Sequence, residues 1–573
     1  MIASALRSLL PSAEDSRGLR RSWRSDLVAG LTVGIVALPL ALAFGVSSGV
    51  GAEAGLVTAI VAGLVAAVFG GSNVQVSGPT GAMVVVLAPI VAVHGAGAVA
   101  LVSIMAGIIV LAAGLLRLGR AVSYIPWPVI EGFTAGIGVI IFLQQVPAAV
   151  GSSASGHSTN AVVAAWQAIS EASWPDAVLP LGSVAAVAAI MLVLPRLSPA
   201  LPASFIAIVV VSLVAALCGL PIATIGELPH ALPAPTLPVL DPAVIASLAA
   251  PAFAVAALAA IESLLSARVA ATLADTGHVN ADRELFGQGL ASIAAGLFGG
   301  MPATGAIART AVNVRSGAKT RVAAAAHAIV LLLVVLVAAD VVSAIPLAAL
   351  SGVLMMTAAR MVSPATMGRV LRSGRSSAMV FGITLFVTVA FDLIVAVGIG
   401  LVAAAFFALR TLSRMSGAHR EALPGDPEPG DERIALFRIE GSLFFGAADR
   451  LVEEISREPA AAERGQGGCA EGALDGVEDR RTEVVILRLS GLQIVDATGA
   501  NALAELVLAL ERRGVTVLIK GVRPEHRALL ERLGVIGSLR HPNHLFAELD
   551  AALEHARSHV RRSAAGRAAA AGG

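Results

Sequence analysis

The sequence predicts an α-helical polytopic membrane protein followed by a small soluble α/β domain. Its 573 residues are 56% hydrophobic and have a mean hydropathy of +0.83, which is more apolar surface than a soluble chain of this length can bury. Apolar runs of about 20 residues recur between Leu27 and Leu412, and each is long enough to cross a hydrocarbon core of ~30 Å as a helix. The runs are continuous rather than alternating, which argues against a transmembrane β-barrel.

Fourteen apolar segments are interpreted as transmembrane spans, in two sets of seven. They lie at residues 27–45, 54–70, 77–93, 97–116, 129–149, 178–195, 202–219, 250–271, 285–300, 304–314, 322–341, 345–361, 377–391 and 393–409. Arg17, Arg20, Arg21 and Arg24 precede the first segment, which has no obvious cleavage site after it. Residues 1–25 are therefore expected to be a retained cytoplasmic N-terminus rather than a signal peptide.

The distribution of basic residues predicts the orientation of the spans. Loops after even-numbered segments carry the Lys and Arg residues, for example Arg117 and Arg120 after the fourth segment. The two longest loops on the other side, 151–176 and 221–249, carry none. Because cytoplasmic loops are enriched in Lys and Arg, both termini are expected in the cytoplasm, with the chain in the inner or plasma membrane.

One glycine-punctuated passage occurs twice. Thr80-Gly81-Ala82 and Thr304-Gly305-Ala306 each follow a Phe-Gly-Gly, and each opens or occupies the third segment of its set of seven. Since seven is odd, the two halves enter the membrane from opposite sides, which predicts a seven-plus-seven inverted repeat. Repeat 1 covers about 26–220 and repeat 2 about 250–412, within a transmembrane domain at 26–412.

Interrupted segments at matching positions of such repeats indicate the substrate site. Pro79 and Pro302 are compatible with a helix start but not with a helix interior. We therefore expect two half-helices whose N-termini face each other near the midplane and bind an anion through free N–H groups and positive dipole ends. The predicted anion-binding residues are Gln75, Ser77, Thr80, Gly81, Ala82, Thr304, Gly305, Ala306 and Arg309.

The small residues, the two threonines and Arg309 also have structural explanations, and Gln75 and Ser77 are the weaker candidates. Small residues allow close helix packing, and the Thr80 and Thr304 hydroxyls are suited to capping half-helices as well as to binding an anion. Arg309 is a candidate anion contact, with structural pairing or snorkelling as the alternative.

Glu262 and Ser266 are the predicted coupling-ion residues. Glu262 lies inside an apolar span, where an acid is a candidate for reversible protonation, and Ser266 lies one turn further on the same helix face. The alternative is a structural ion pair between Glu262 and Arg309.

After about Arg414 the composition becomes polar, and β-like runs begin at Ile434, Val484 and Val515. These runs predict a linker at 413–431 and a small α/β domain at 432–559. Residues 458–482 are expected to be a disordered insert within this domain, and residues 560–573 a disordered tail.

Several motifs together resemble the sulfate permease (SulP) family of sulfate and anion transporters. They are Gln75-Val-Ser-Gly-Pro-Thr80, Pro126-Trp-Pro-Val-Ile-Glu-Gly-Phe-Thr134, Ile261-Glu-Ser-Leu-Leu265, the Asn280–Gly289 loop with Glu284 and Gln288, and Ala308-Arg-Thr-Ala-Val-Asn-Val-Arg-Ser-Gly317. The resemblance covers nearly the whole chain. It implies gate and core subdomains, an elevator-type movement, a homodimer and a C-terminal STAS domain.

The resemblance also implies a function. It predicts secondary active transport of a small anion, sulfate or bicarbonate, with C4-dicarboxylate transport as the main alternative. Sodium-coupled relatives have an Asp and a Thr where this chain has Glu262 and Ser266, so proton symport is expected rather than Na⁺ coupling. In stand-alone STAS regulators, a phosphorylated Ser or Thr occupies the place of Thr498, which follows Asp496 in the turn after a strand.

An enzymatic function has little support, because the chain has two Cys residues and neither a Cys/His zinc cluster nor a nucleophile elbow. No metal, no cofactor other than H⁺ or Na⁺ as the coupling ion and no nucleic-acid partner are expected. The expected partners are the anion, the lipid bilayer, a second copy of the chain and a cytoplasmic protein at the STAS domain. An uncoupled exchanger or channel, and a membrane sensor that signals through the STAS domain, are the alternatives.

Overall fold

The computed structural model describes residues 9–11, 15, 19–120, 125–152, 160–198, 201–238, 241–273, 277, 279–391, 393–414, 417–443, 455 and 482–571. The chain divides into two compact units, Met1–Ala404 and Ala405–Gly573. The first unit is almost entirely helical, and the second contains a five-stranded sheet.

Two very short strands interrupt the helices of the first unit. The elements are α1 Leu19–Ser47, α2 Ala52–Phe69, β1 Ser77–Gly78, α3 Gly81–His94, α4 Ala98–Leu115, α5 Trp127–Ala149, α6 Ala161–Glu171, α7 Trp174–Leu197, α8 Ala203–Leu217, α9 Pro242–Leu273, α10 Ala281–Leu297, β2 Thr304–Gly305, α11 Ile307–Arg315, α12 Val322–Ser343, α13 Leu347–Met361, α14 Pro364–Arg372, α15 Arg375–Ala390 and α16 Leu393–Arg414.

Each of the fourteen predicted apolar segments coincides with a helix, but not all of these helices are complete spans. Among the described residues, eight helices are long and apolar enough to cross a membrane, and four more are apolar but shorter. The ninth and tenth segments become α10, of 17 residues, and α11, of 9 residues. α11 is short because it begins only after an extended passage, as does α3, so length alone does not support a count of fourteen spans.

Two stretches outside the predicted spans are also helical, at residues 281–284 and 161–171. The Asn280–Gly289 stretch is helical from Ala281, because the Asn280 side chain accepts a hydrogen bond from the Arg283 N–H (3.0 Å) and caps the first turn of α10. α6 lies in the predicted outer loop at 151–176, where Asn160 caps the helix in the same way.

Glycines allow α4 and α10 to pack at close range. A Cβ atom added at Gly107 would lie 2.7 Å from the Gly289 carbonyl oxygen, and one at Gly296 would lie 2.7 Å from the Ala100 carbonyl oxygen. Such distances exclude any larger side chain, which is the role that small residues have between membrane helices. Glycine is therefore required for packing at this contact, which involves none of the predicted site residues.

The second unit is a mostly parallel sheet with the order β3-β4-β5-β6-β7. Its strands are β3 Gly417–Glu421, β4 Ile434–Leu443, β5 Val484–Val495, β6 Thr516–Lys520 and β7 Leu545–Phe546, and its helices are α17 Ala497–Arg512, α18 Pro524–Arg532 and α19 Leu549–Ala571. Only the β3–β4 pair is antiparallel. Helices cover both faces, so Phe437 packs in one core with Leu503 and Leu436 packs in another with Leu553.

Two boundaries of this unit differ from the prediction. β3 lies in the predicted linker and extends the sheet by pairing with β4. α19 continues to Ala571, so the prediction of a disordered tail from residue 560 is wrong over that range. The tail is rich in Ala, the best helix former, and Arg567 Nη1 binds Glu483 Oε1 at 2.6 Å. Of the insert predicted at 458–482, residues 458–481 lie outside the described residues.

Candidate functional site

The two repeated Thr-Gly-Ala passages meet in the first unit. β1 and β2 pair antiparallel, with Ser77 opposite Gly305 and Gly78 opposite Thr304. Each short strand leads into a helix, α3 after Thr80 and α11 after Ala306. Because the first N–H groups of a helix have no partner within it, the two helix N-termini present free donors and positive dipole ends in one region.

A carboxylate from α9 joins the two passages. Glu262 Oε2 accepts hydrogen bonds from the Thr80 hydroxyl (2.8 Å) and from the Thr304 hydroxyl (2.9 Å), and the two hydroxyl oxygens lie 3.1 Å apart. Glu262 itself is only partly buried. Neither hydroxyl caps a helix: Thr80 is an N-cap residue without a side-chain cap bond, and the N-cap of α11 is Ala306. The capping alternative is therefore wrong for both threonines.

Arg309 supplies the positive charge of the site. Its side chain is almost fully buried, with 2% of the residue exposed. Nη2 donates to the Pro79 carbonyl oxygen, whereas Nη1 has no hydrogen-bond partner among the described residues. Among the described residues, no Lys, Arg or His nitrogen lies within 4.0 Å of the Glu262 carboxylate. Glu262 and Arg309 therefore do not form the ion pair that was the alternative explanation.

A cavity of about 280 Å³ opens beside these groups. Its lining includes six of the predicted site residues: Thr80, Gly81, Ala82, Glu262, Ala306 and Arg309. The remaining wall is largely apolar and comes from α1, α5, α9, α11 and α13, including Phe44 and Phe133. The site therefore combines two helix N-termini, one guanidinium and one carboxylate with an apolar wall.

Three predicted residues are held by other contacts instead of lining this cavity. Gln75 Nε2 donates to the Ser263 carbonyl oxygen at 3.2 Å. Ser77 accepts a hydrogen bond from Gln288. Ser266 lies one turn beyond Glu262 but is fully buried, and its hydroxyl oxygen is 3.3 Å from that of Thr310.

The remaining two predicted residues, Thr304 and Gly305, form β2 and are not among the residues that line the cavity. Thr304 reaches the site through its bond to Glu262. Gly305 donates its N–H to the Ser263 hydroxyl at 3.0 Å, and a Cβ there would meet the Gln75 side chain.

Several residues that position the two passages were not singled out from the sequence. The Thr310 hydroxyl accepts from the Val76 N–H (3.0 Å), and Asn313 Nδ2 donates to the Val74 carbonyl oxygen (2.8 Å). Together with Ser263, these side chains tie α9 and α11 to the backbone around β1 and β2. All three lie within the motifs quoted above, so their polarity inside apolar spans was the available signal.

Glu284 is a second buried acid, but its surroundings differ from those of Glu262. Its carboxylate accepts from the N–H groups of Gly71 (2.7 Å) and Ser72 (3.2 Å) and from Gln288 Nε2 (2.9 Å). It does not line the cavity. This full set of donors indicates a structural carboxylate that holds the turn after α2.

In the second unit, the turn at Asp496 has the predicted form. β5 ends at Val495 and α17 begins at Ala497. Asp496 Oδ1 accepts from the Gly499 N–H at 2.8 Å and caps the helix, and Thr498 is exposed in its first turn.

The sequence and the fold match known transporters. The model of the sulfate permease family matches residues 23–384, and that of the STAS domain matches residues 429–552. The chain is 34% identical to the "Putative sulfate transporter YvdB" of Bacillus subtilis, over 90% of this chain and 94% of that protein. It is 32% identical to the "Bicarbonate transporter BicA" of a Synechocystis species, over 90% and 91%. The structure of SLC26A9 shares the fold, with a TM-score of 0.78, 18% identity and coverage of 98% and 94%.

Proposed function

The chain belongs to the sulfate permease family, a family of membrane transporters rather than enzymes, and from that premise we propose that it carries a small oxyanion, sulfate or bicarbonate, by proton symport. The names of two similar proteins, a sulfate transporter and a bicarbonate transporter, support this substrate class.

The observation that carries the proposal is that Arg309 Nη1, beside two helix N-termini and a cavity, has no hydrogen-bond partner in the part of the chain that the structure describes. A buried guanidinium without a full set of acceptors is costly, and an oxyanion would supply the missing acceptor. The free N–H groups of Gly81, Ala82 and Ile307 would complete its coordination. Placing one charge at the bilayer centre costs roughly 2.5–3.5 kcal/mol of free energy. Each helix N-terminus stabilises an anion by ~0.3–1 kcal/mol, and by up to ~2 kcal/mol when partly buried. Two helix ends and one cation are therefore sufficient for a small anion.

Glu262 is the proposed proton-binding residue. Both threonine bonds reach Oε2, and no described group hydrogen-bonds with Oε1. A proton on Oε1 would leave both threonine bonds intact, because the carbonyl oxygen of a neutral carboxyl group also accepts hydrogen bonds. An ionised Glu262 repels an anion in the same cavity, so proton and anion binding favour each other. Ser266 would support this region through Thr310 rather than bind the coupling ion directly.

Membership of the family supports proposals on the transport movement, the oligomeric state and the location of the protein. We propose an elevator-type movement, a homodimer in the inner or plasma membrane and cytoplasmic termini, the last on the evidence of the basic loops. The exposed Thr498 and the capped turn at Asp496 are the proposed contact for a cytoplasmic protein partner of the STAS domain.

Uptake into proteoliposomes tests the proposal. Sulfate, bicarbonate, chloride and fumarate are offered separately under imposed pH or Na⁺ gradients; fumarate is included because much of the cavity wall is apolar. Accumulation of sulfate or bicarbonate that requires a pH gradient is the expected result. Uptake that ignores both gradients would indicate an uncoupled exchanger or channel, and accumulation of fumarate alone would indicate a dicarboxylate transporter. No movement of any anion would contradict transport and leave a sensor.

A further inference from the structure

We propose that the STAS domain contains a metal site, formed by His544, His555 and His559, that binds Zn²⁺. One ligand nitrogen of each ring lies within 4.8 Å of those of the other two. His555 and His559 are four residues apart and thus on the same face of α19, and His544 faces them from the turn before β7. No metal was expected from the sequence, because the chain has two Cys residues and no Cys/His zinc cluster of the usual kind.

The distance between the two ring nitrogens on α19 suits a tetrahedral ion. Nε2 of His555 and Nε2 of His559 are 3.2 Å apart. Two nitrogens bound at 2.0–2.1 Å to a tetrahedral zinc lie roughly 3.3–3.4 Å apart, so this pair needs almost no adjustment. Three imidazoles and one solvent molecule are a common zinc ligand set.

His544 is the second, independent indication of a ligand. Only 4% of the residue is exposed, yet its Nδ1 is buried without a hydrogen-bond partner among the described residues. Buried polar atoms normally have partners, and a ring nitrogen that faces two other imidazoles is suited to a metal.

The protonation states agree with this geometry. Burial, followed by the neighbouring His559 and His555, lowers the pKa of His544 to about 4. Burial also lowers the pKa of His555 and that of His559. Neutral imidazoles are the form that binds metal.

The charged groups around the cluster do not occupy it. Arg540 pairs with Glu511, with Nε and Oε2 3.0 Å apart. Arg562 donates to the Ser558 carbonyl oxygen at 3.3 Å. The fourth His of this region, His541, already accepts a hydrogen bond on Nδ1 from the Asn543 N–H. α19 covers one face of the sheet. A bound ion would link this helix to the turn that precedes the edge strand β7.

The test uses the full chain in detergent with an affinity tag that contains no histidine. After removal of metal with a chelator, the protein is dialysed against dilute ZnCl₂, and retained zinc is measured by mass spectrometry. About one zinc per chain is expected, with at least tenfold weaker affinity in His555→Gln and His559→Gln, by competition with a chromogenic chelator. His419→Gln, an exposed histidine of β3, is the matched control and should bind like the unmodified chain.

X-ray absorption on the unmodified, zinc-loaded chain provides a measurement that no folding defect can affect. It should show imidazole nitrogens in the first shell at roughly 2.0–2.1 Å. Hydrogen exchange should become slower on zinc addition at residues 541–546 and in α19. Zinc that is not retained, that is bound equally by the cluster variants, that shows no imidazole shell or that protects other segments would overturn the proposal. Edge-to-face ring packing and the His555–His559 hydrogen bond would then explain the cluster.

Discussion

Replacing Glu262 with Gln removes a negative charge from the cavity while preserving its contacts. The threonine hydroxyls donate to Oε2 at 2.8 and 2.9 Å, and an amide carbonyl oxygen of the same size can accept both bonds. The variant is therefore expected to fold normally, so a change in transport would report the charge.

The magnitude follows from the separation between the charges. An anion bound by Arg309 Nη1 and the N–H groups at the two helix N-termini, in the same cavity as Glu262, would lie about two hydrogen-bond lengths, ~5–6 Å, from the Glu262 carboxylate. At an effective dielectric constant of ~20, two like unit charges at that distance repel by ~3 kcal/mol. Since every 1.4 kcal/mol corresponds to a factor of ten, the anion should bind roughly a hundredfold more tightly when Glu262 is neutral.

In Glu262→Gln, the tight binding should therefore persist at all pH values. Accumulation driven by a pH gradient should be lost, because the site no longer exchanges a proton, whereas equilibrium exchange of labelled anion should continue.

The assay is uptake of radiolabelled sulfate into proteoliposomes, because sulfate keeps its charge over the physiological pH range. Affinity is measured in parallel by titration at several pH values. Glu131→Gln is the matched control, since Glu131 bonds to Trp127 Nε1 at 2.8 Å and does not line the cavity. Concentration of sulfate by Glu262→Gln under a pH gradient without Na⁺ would refute the assignment.

Three further outcomes are expected. Arg309→Gln should weaken anion binding roughly tenfold to a hundredfold, the effect of losing a charged hydrogen-bond donor, with a normal elution profile as the check on folding. Gly78→Ala should weaken binding in the same direction, because its Cβ would lie 2.8 Å from Arg309 Nη1, whereas Gly382→Ala, with open space around it, should not. Arg557→Gln should lower the unfolding temperature of the second unit, measured by scanning calorimetry. Hydrogen bonding from Arg557 lowers the pKa of Asp431 below 3.8, so Asp431 is ionised from about pH 5 to pH 8 and the destabilisation should be constant over that range.

The sequence was sufficient to predict that the repeated passages meet. Thr80 and Thr304 occur at matching positions of two sets of seven segments, and parity alone predicts opposed entry into the membrane. The prediction depends on counting segments, and each segment has a helix in the structure, including the short α11.

The sequence could not determine which side chains line the cavity. Glu262 and Ser266 are one turn apart on the same face of α9, yet Glu262 reaches the cavity and Ser266 reaches Thr310. Which turn of α9 faces the cavity depends on the position of α9 relative to α11 along the helix axis, and that position is set by tertiary packing. The helical tail illustrates a second limit: Val560 is buried against the sheet, a contact that composition does not contain.

The charges around the cavity constrain which anions require a proton. Arg309 contributes one positive charge, and the N-termini of α3 and α11 contribute roughly half a charge each, which gives about +2. With Glu262 ionised the sum is about +1, which balances a monovalent anion such as bicarbonate. With Glu262 protonated the sum is about +2, which balances sulfate. Protonation of Glu262 would therefore be required for sulfate and would strengthen the binding of bicarbonate, so the charge of the substrate rather than its size would determine how strongly the pH gradient drives transport.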